Sequence, residues 1–254
     1  KFSRANLIKV QQPSQQRVKP FCSHYHQCGG CNLQHLEQSS QLEYKQQALT
    51  GLMKKFSGQT LALSEPVTGE SLAYRRRARI SVMVDKKTRQ LQFGFRRKQS
   101  KQIVTVTNCP VLDTELNVML PELYKLLQGF THQESIGHVE LVKGDNTKVI
   151  VLRHLKPLTA KELQQLENFA QSHQATLYLM PQTDQLDLVV GEEAYYLEAG
   201  VTIPFAPNNF IQVNQAVNQK MVRQALEWLA LEQTDHVLDL FCGLGNFSLP
   251  MAKQ

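Results

Sequence analysis

Apolar and polar residues alternate in three consecutive segments of the chain, which is the pattern of β-strands with one buried face. A polar turn at residues 85–90 joins the first two segments, so the three are predicted to form an antiparallel meander. The predicted strands are Arg75–Val84, Leu91–Arg97 and Gln102–Thr107. In the first strand, one face carries Ala78, Ile80, Val82 and Val84, and the other carries Arg75, Arg77, Arg79 and Ser81. The aliphatic face is therefore predicted to pack on a core.

Elsewhere apolar residues recur at the three- and four-residue spacing of helices. Helices are predicted around Leu49–Phe56 before Gly58, over Thr114–Gln128, from a Thr159/Glu162 capping box to Ser172, and from an Asn214 cap to Leu229. Further strands are predicted at Ala5–Val10, His138–Lys143 and Lys148–His154, and near Leu177, Leu188 and Val201. Residues 21–204 thus read as an α+β domain with an antiparallel sheet.

The last fifty residues have a different pattern. Asp235–Phe241 is predicted to be a buried strand that opens into the glycine turn Cys242–Gly245 and then a helix. Strand, glycine turn and helix form the first unit of a nucleotide-binding α/β domain. One strand cannot complete a parallel sheet, so we expect residues 205–254 to be the truncated start of such a domain.

Composition narrows the class of protein. With 254 residues and 42% hydrophobic content the chain can bury a sizeable core. No apolar run approaches the roughly 20 residues of a membrane span, and no signal-peptide pattern opens the chain, so a cytoplasmic location without membrane contact is expected. Nothing in the sequence indicates an obligate protein partner.

Charge is concentrated in one part of the chain. The net charge is +6, but residues 75–101 alone carry eleven lysines and arginines against one acid, Asp85. A local positive field of this kind attracts phosphates whatever the total charge, which favours a polyanion as partner. The arginine face formed by Arg75, Arg77 and Arg79 is the predicted RNA-binding surface.

Four of the five cysteines have the spacing of a metal centre. Cys22, Cys28 and Cys31 follow a C-x5-C-x2-C pattern, and Cys109 lies directly before Pro110. Four thiolates suit both structural zinc and an iron-sulfur cluster. Three clustered cysteines with a remote Cys-Pro favour the cluster, whereas His24, His26 and His35 keep a mixed zinc site open.

The fifth cysteine, Cys242, stands inside the glycine turn and is interpreted as a packing residue. This turn, Gly243-Leu244-Gly245, follows the acid Asp239 at the end of the predicted strand. A dinucleotide fingerprint would need a third glycine where Ser248 stands, so a nicotinamide or flavin site is disfavoured. The pattern looks instead like motif I of class I methyltransferases, although a structural turn without a ligand is the alternative.

Several motifs together resemble one family. Residues 205–214, FAPNNFIQVN, resemble the F-x-P-x-x-F-x-Q-x-N signature of RNA (uracil-5)-methyltransferases. The cysteine pattern, the run Tyr74–Arg79 and the segment Asn218–Met221 resemble the same family. The tRNA branch of that family lacks the cysteine cluster, so the resemblance is to the branches that methylate a uridine of 23S rRNA.

The resemblance implies a set of site residues. Cys22, Cys28, Cys31 and Cys109 would hold a [4Fe-4S] cluster. Gln212, Phe241 and Asn246 would contact S-adenosylmethionine, with Gly243 letting the backbone approach it, and Arg79 would lie near the RNA. Residues 1–20 would be the remnant of an N-terminal TRAM domain, an OB-like RNA-binding barrel, and its linker.

The resemblance also implies the reaction. In the family a cysteine adds to C6 of the uracil, C5 then takes the methyl group from the cofactor, and a base removes the C5 proton. Neither the nucleophile nor the base is expected within these 254 residues, so the isolated chain is expected to be inactive while the full-length enzyme is active. The alternative function is an iron-sulfur or zinc RNA-binding module without methyltransferase activity.

Overall fold

The computed structural model describes Ser3, Ala5 and residues 8–254. The predicted strand Ala5–Val10 includes residues outside this set, so it stays a prediction, as does the TRAM remnant. The chain divides into two compact units, one of residues 1–26 and 30–66 and the other of residues 27–29 and 67–254. In the described part of the chain no helix has the length and apolarity needed to cross a bilayer.

The first unit contains one long helix, α1 (Gln38–Ser57). It ends where the N–H of Gly58, at φ +71°, donates to the carbonyl of Lys54 over 2.9 Å. A left-handed residue at this position is favoured as glycine because a Cβ would be strained there. The predicted helix is confirmed, although it begins well before Leu49.

The second unit is built on a seven-stranded sheet with the order β3-β2-β1-β4-β5-β6-β7. The strands are β1 (Arg77–Val84), β2 (Leu91–Arg96), β3 (Ile103–Thr105), β4 (Ile136–Lys143), β5 (Lys148–His154), β6 (Ala175–Met180) and β7 (Asp187–Val190). A separate antiparallel hairpin consists of β8 (Ala194–Glu198) and β9 (Val201–Phe205). The helices are α2 (Thr114–Gln128), α3 (Ala160–Ser172), α4 (Gln215–Leu229) and α5 (Ser248–Ala252), with a 3-10 turn at Gln133–Ser135.

The sheet is mixed, so the prediction of an antiparallel sheet was wrong for one pair. Strands β5 and β6 are parallel, from Lys148 opposite Ala175 to Arg153 opposite Met180. The connection through α3 explains this pairing, because a helix that returns the chain to the starting end of a strand makes the next strand parallel. The meander β1–β2–β3 is antiparallel, as predicted.

Both faces of the sheet are covered. Helices α2 and α3 pack on one face and bury Leu120, Leu123 and Phe169 against Leu141 and Ile150. The other face carries a second core with the hairpin β8–β9, in which the following residues are buried: Val142, Val149, Val151, Tyr196, Ile203, Phe205 and Ile211. Leu244 of the glycine turn packs on this second core, so the core brings the turn close to the hairpin.

The predicted strand Asp235–Phe241 does not form, and this prediction was wrong. Its apolar side chains are exposed, with Leu238 at 81% and Leu240 at 69%. A strand is stabilised by hydrogen bonds to a neighbouring strand, and within the described residues none pairs with this segment. The apolar run alone therefore does not produce a strand here.

Candidate cofactor site

Three residues in and directly before the glycine turn have a left-handed backbone conformation. These are Phe241, Gly243 and Gly245, with φ of +64°, +58° and +85°. The turn is closed by the Gly245 N–H, which donates to the Cys242 carbonyl over 3.0 Å. Asp239 accepts a hydrogen bond of 2.6 Å from the Ser248 hydroxyl at the start of α5. The predicted acid before the turn thus contacts the start of the helix after it.

The segment between β9 and α4 forms the second part of the site, and Arg76 holds it in place. The Arg76 N–H donates to the Val213 carbonyl at 2.9 Å, and Nε donates to the Gln212 carbonyl at 2.8 Å. The Arg76 side chain is 2% exposed, and its guanidinium carbon lies 4.7 Å from the centre of the Tyr196 ring. Burial lowers the pKa of Arg76 from its ordinary value.

One cavity of about 130 Å³ brings the two segments together. Gln212, Phe241, Gly243 and Asn246, the four residues that the sequence assigned to the cofactor, all line it. The remaining lining residues are Tyr196, Phe210, Ile211, Cys242, Leu244 and Phe247. Pockets that enclose whole small-molecule ligands measure about 300 Å³ or more, so this cavity is too small to enclose a whole cofactor. Contact between these residues and the cofactor stays a prediction.

A chain of buried polar groups supports one wall of this cavity. The Asn218 amide is paired with that of Asn246, with Nδ2–Oδ1 at 2.9 Å and Oδ1–Nδ2 at 3.0 Å. Asn218 Nδ2 also donates to Glu198 Oε2 at 2.5 Å, and the Tyr196 hydroxyl donates to Asn246 Oδ1 at 3.2 Å. Asn218 is fully buried and Glu198 is 1% exposed. Burial raises the pKa of the Glu198 carboxyl above its ordinary value, although the hydrogen bond from Asn218 and the charge of Arg76 act to lower it.

The predicted metal centre stays a prediction, because its four cysteines are divided between the two units. Cys22 and Cys31 belong to the first unit, whereas Cys28 and Cys109 belong to the second. Among residues 8–254 and the two described before them, no three His, Cys, Asp or Glu side chains are grouped so that they could hold a metal ion. The fifth cysteine, Cys242, is exposed and lines the cavity, so its interpretation as a packing residue was wrong.

The three arginines of the predicted RNA face differ in their surroundings. Arg77 forms an ion pair of 2.8 Å with Glu140 and donates to the carbonyls of Pro207 and Asn209. Arg75 is half-buried, and its backbone pairs with that of residues 111 and 113. The Arg79 side chain is 65% exposed, with Nε 3.7 Å from Glu140. Of the three, Arg79 is therefore the most exposed.

Glu140 is the shared anion of this arginine face. It is 7% exposed, and His138 lies beside it, with Nε2 3.5 Å from a Glu140 oxygen. Burial by itself raises the pKa of Glu140, but the neighbouring His138 and the hydrogen bond from Arg77 lower it overall. The carboxylate is thus held ionised beneath the arginines.

Comparison with known proteins identifies the family. The sequence model of the tRNA (Uracil-5-)-methyltransferase family matches residues 37–254. The chain belongs to this family. Relatives named 23S rRNA (uracil(1939)-C(5))-methyltransferase RlmD are 65% identical in Vibrio campbellii, 59% in Vibrio cholerae O395 and 53% in Aliivibrio fischeri MJ11. Each alignment covers all of this chain and 58% of the relative.

A solved structure shows the same fold. The tRNA (uracil-54, C5)-methyltransferase of Pyrococcus abyssi, solved with S-adenosyl-L-homocysteine, aligns with a TM-score of 0.70 at 20% identity. The alignment covers 96% of this chain and 58% of that one. The similarity confirms a methyltransferase fold for a member of the tRNA (uracil-5-)-methyltransferase family.

Sequence reasoning missed four residues that line or support the cavity wall in this family member. Arg76, Tyr196, Glu198 and Asn218 were not assigned to the site. Asn218 stands in the first turn of α4 and opens the segment Asn218–Met221 that resembles the family, but no role was assigned to it, and Glu198 stands in a hairpin. Polar residues at positions that face a core were the available signal, because buried polar groups need partners.

Proposed function

We propose that the full-length gene product that contains this chain transfers a methyl group from S-adenosylmethionine to C5 of a uridine in 23S rRNA. The observation that carries the proposal is the convergence of Gln212, Phe241, Gly243 and Asn246 on one cavity in a chain of this family. The identity of 53–65% to RlmD enzymes supports 23S rRNA as the substrate. Methyl transfer from labelled S-adenosylmethionine to 23S rRNA is the reaction that tests it.

The residues of this chain would bind and orient the cofactor, which supplies the methyl group. The side chains of Gln212 and Asn246 offer amide groups for hydrogen bonds, and Gly243 lets the backbone come close. Phe241 exposes its whole ring for apolar contact. The chain spans 58% of the length of its relatives, and we propose that the nucleophilic cysteine and the general base come from outside these 254 residues.

RNA binding is proposed to depend on Arg79, the exposed member of the arginine face. Replacing Arg79 by alanine is expected to flatten the salt dependence of RNA binding, by roughly one unit or less of log-log slope, because one phosphate contact less releases fewer counterions. Binding of the full-length protein to a 23S rRNA fragment, measured over a range of KCl concentrations, checks this.

Two further variants distinguish a direct contact of Arg79 with RNA from the structural role of Arg77. Lys161→Ala removes one exposed positive charge from α3 and is expected to leave the slope unchanged. Arg77→Ala is expected to lower the free energy of unfolding, since Arg77 joins Glu140 to residues 207 and 209. An unchanged slope in Arg79→Ala would show that this arginine is only solvated.

We propose a [4Fe-4S] cluster on Cys22, Cys28, Cys31 and Cys109 from the spacing of these cysteines and from the resemblance to the family. Methyl transfer to uracil C5 requires no electron, so the proposed role is structural. Protein purified without oxygen is expected to be brown and to contain about four iron atoms, the content of a [4Fe-4S] cluster.

The matched variants for the cluster are two serine substitutions. Cys31→Ser is expected to lose the iron and Cys242→Ser to retain it, because Cys242 lies outside the four-cysteine pattern. Elemental analysis measures both. A colourless protein with stoichiometric zinc would exclude the iron assignment.

A further inference from the structure

The amide pair of Asn218 and Asn246 has a defined direction. A carboxylate only accepts hydrogen bonds, so the Asn218 amino group must face Glu198. Both protons of that amino group are then used, one on Glu198 and the other on Asn246 Oδ1. The Asn218 carbonyl is left to accept from the Asn246 amino group. Glu198 thereby determines which way round both amides lie.

Tyr196 fixes the same orientation from the other side. Its hydroxyl donates to Asn246 Oδ1, so this oxygen accepts two hydrogen bonds and has no further lone pair. The Asn246 amino group uses one proton on Asn218. Among the described residues its second proton has no hydrogen-bond acceptor, and Asn246 is half-buried on the cavity wall. The group that Asn246 offers to the cavity is therefore an N–H donor.

Reversing either amide would disrupt the network. A reversed Asn218 would place its carbonyl oxygen against the Glu198 carboxylate, in a site where both residues are almost fully buried. Two acceptors held together away from water repel each other and leave both without a donor. The network is thus a means of holding one amide orientation rather than a set of interchangeable polar contacts.

We propose that Glu198 and Asn218 are positioning residues that hold the Asn246 side chain with its free N–H directed at a hydrogen-bond acceptor atom of bound S-adenosylmethionine. This inference rests on the proposed function. Neither residue lines the cavity, so both act through Asn246. The charged and titratable groups around Glu198 are Arg76, Asp145 and Tyr196.

The test is the affinity of the full-length protein for S-adenosylhomocysteine, measured by calorimetry. Asn218→Asp is isosteric but loses both amino protons, so the Asn246 side-chain amide is free to rotate. We expect binding to be about tenfold weaker, which corresponds to the loss of one hydrogen bond. Glu198→Leu is expected to act similarly, while Glu198→Gln, which retains an acceptor oxygen, is expected to lose less. Asn168→Asp, the same change on the exposed face of α3, serves as the control.

A second measurement does not depend on the variants folding. In the wild-type protein the side-chain amide protons of Asn218 are expected to exchange slowly with solvent, and S-adenosylhomocysteine is expected to shift the side-chain amide signal of Asn246. Absence of that shift while the ligand is bound would contradict the proposal, as would unchanged affinity in a folded Asn218→Asp protein. Failure of the wild type to bind the ligand would instead contradict the proposed function itself.

Discussion

Replacing Gly94 with alanine is expected to lower the free energy of unfolding by about 3 kcal/mol, the upper part of the range for overpacking. Gly94 lies in β2 between Ser81 of β1 and Thr105 of β3. An added Cβ would stand 2.0 Å from the Val104 carbonyl oxygen and 2.8 Å from the Val106 nitrogen. Both are backbone atoms, so β3 itself would have to move. Denaturant unfolding followed by circular dichroism measures the change.

Gly137→Ala is the matched control, because it adds the same methyl group to another strand of the same sheet. There the new Cβ would meet Arg153 Cγ at 3.0 Å, and this side chain can shift. The expected loss is below about 1 kcal/mol, typical of a substitution that its surroundings can accommodate. Equal effects of the two substitutions would contradict the close packing of β3 on Gly94.

Methyl transfer is expected from the full-length gene product and not from these 254 residues alone. The cavity of about 130 Å³ is too small to enclose a whole cofactor, and Phe241 on its wall is fully exposed. The nucleophile that forms the covalent bond to uracil is proposed to lie outside this chain, and without it the covalent step is lost. We therefore expect methyl transfer by the full-length protein and none by the isolated chain.

A radiolabelled-methyl assay on 23S rRNA, run with both proteins side by side, measures this difference. The control is the full-length protein with Asn168→Asp, which changes the exposed face of α3 and is expected to be fully active. Turnover by the isolated 254 residues would contradict the proposed division of the active site.

Local sequence patterns predicted much of the fold. The meander, α2, α3 and α4 were predicted correctly because each has a clear period and, in α3, a capping box between Thr159 and Glu162. The apolar run at 235–241 was wrongly predicted to be a strand, because a strand depends on pairing with a neighbouring strand, which local sequence does not specify. The parallel pair β5–β6 was missed for the same reason.

The cofactor residues could be predicted because they stand in contiguous motifs, around Gln212 and around Gly243, which the fold then brings to one cavity. The residues that support the cavity wall and the arginine face could not be predicted in this way. Arg77 alternates with Arg75 and Arg79 as an outward residue would, yet it pairs with Glu140, far away in the sequence. Asn218 and Glu198 meet only through the packing of α4 on the hairpin β8–β9.

The most direct test of the central claim, methylation at C5 of uridine, is the release of tritium from 23S rRNA labelled with [5-³H]uridine. Methylation at C5 must expel the hydrogen on that carbon, whereas methylation at any other atom leaves it in place. The full-length protein with unlabelled S-adenosylmethionine is expected to release one tritium for each methyl group transferred. Methyl transfer without tritium release, or no transfer at all, would contradict the account.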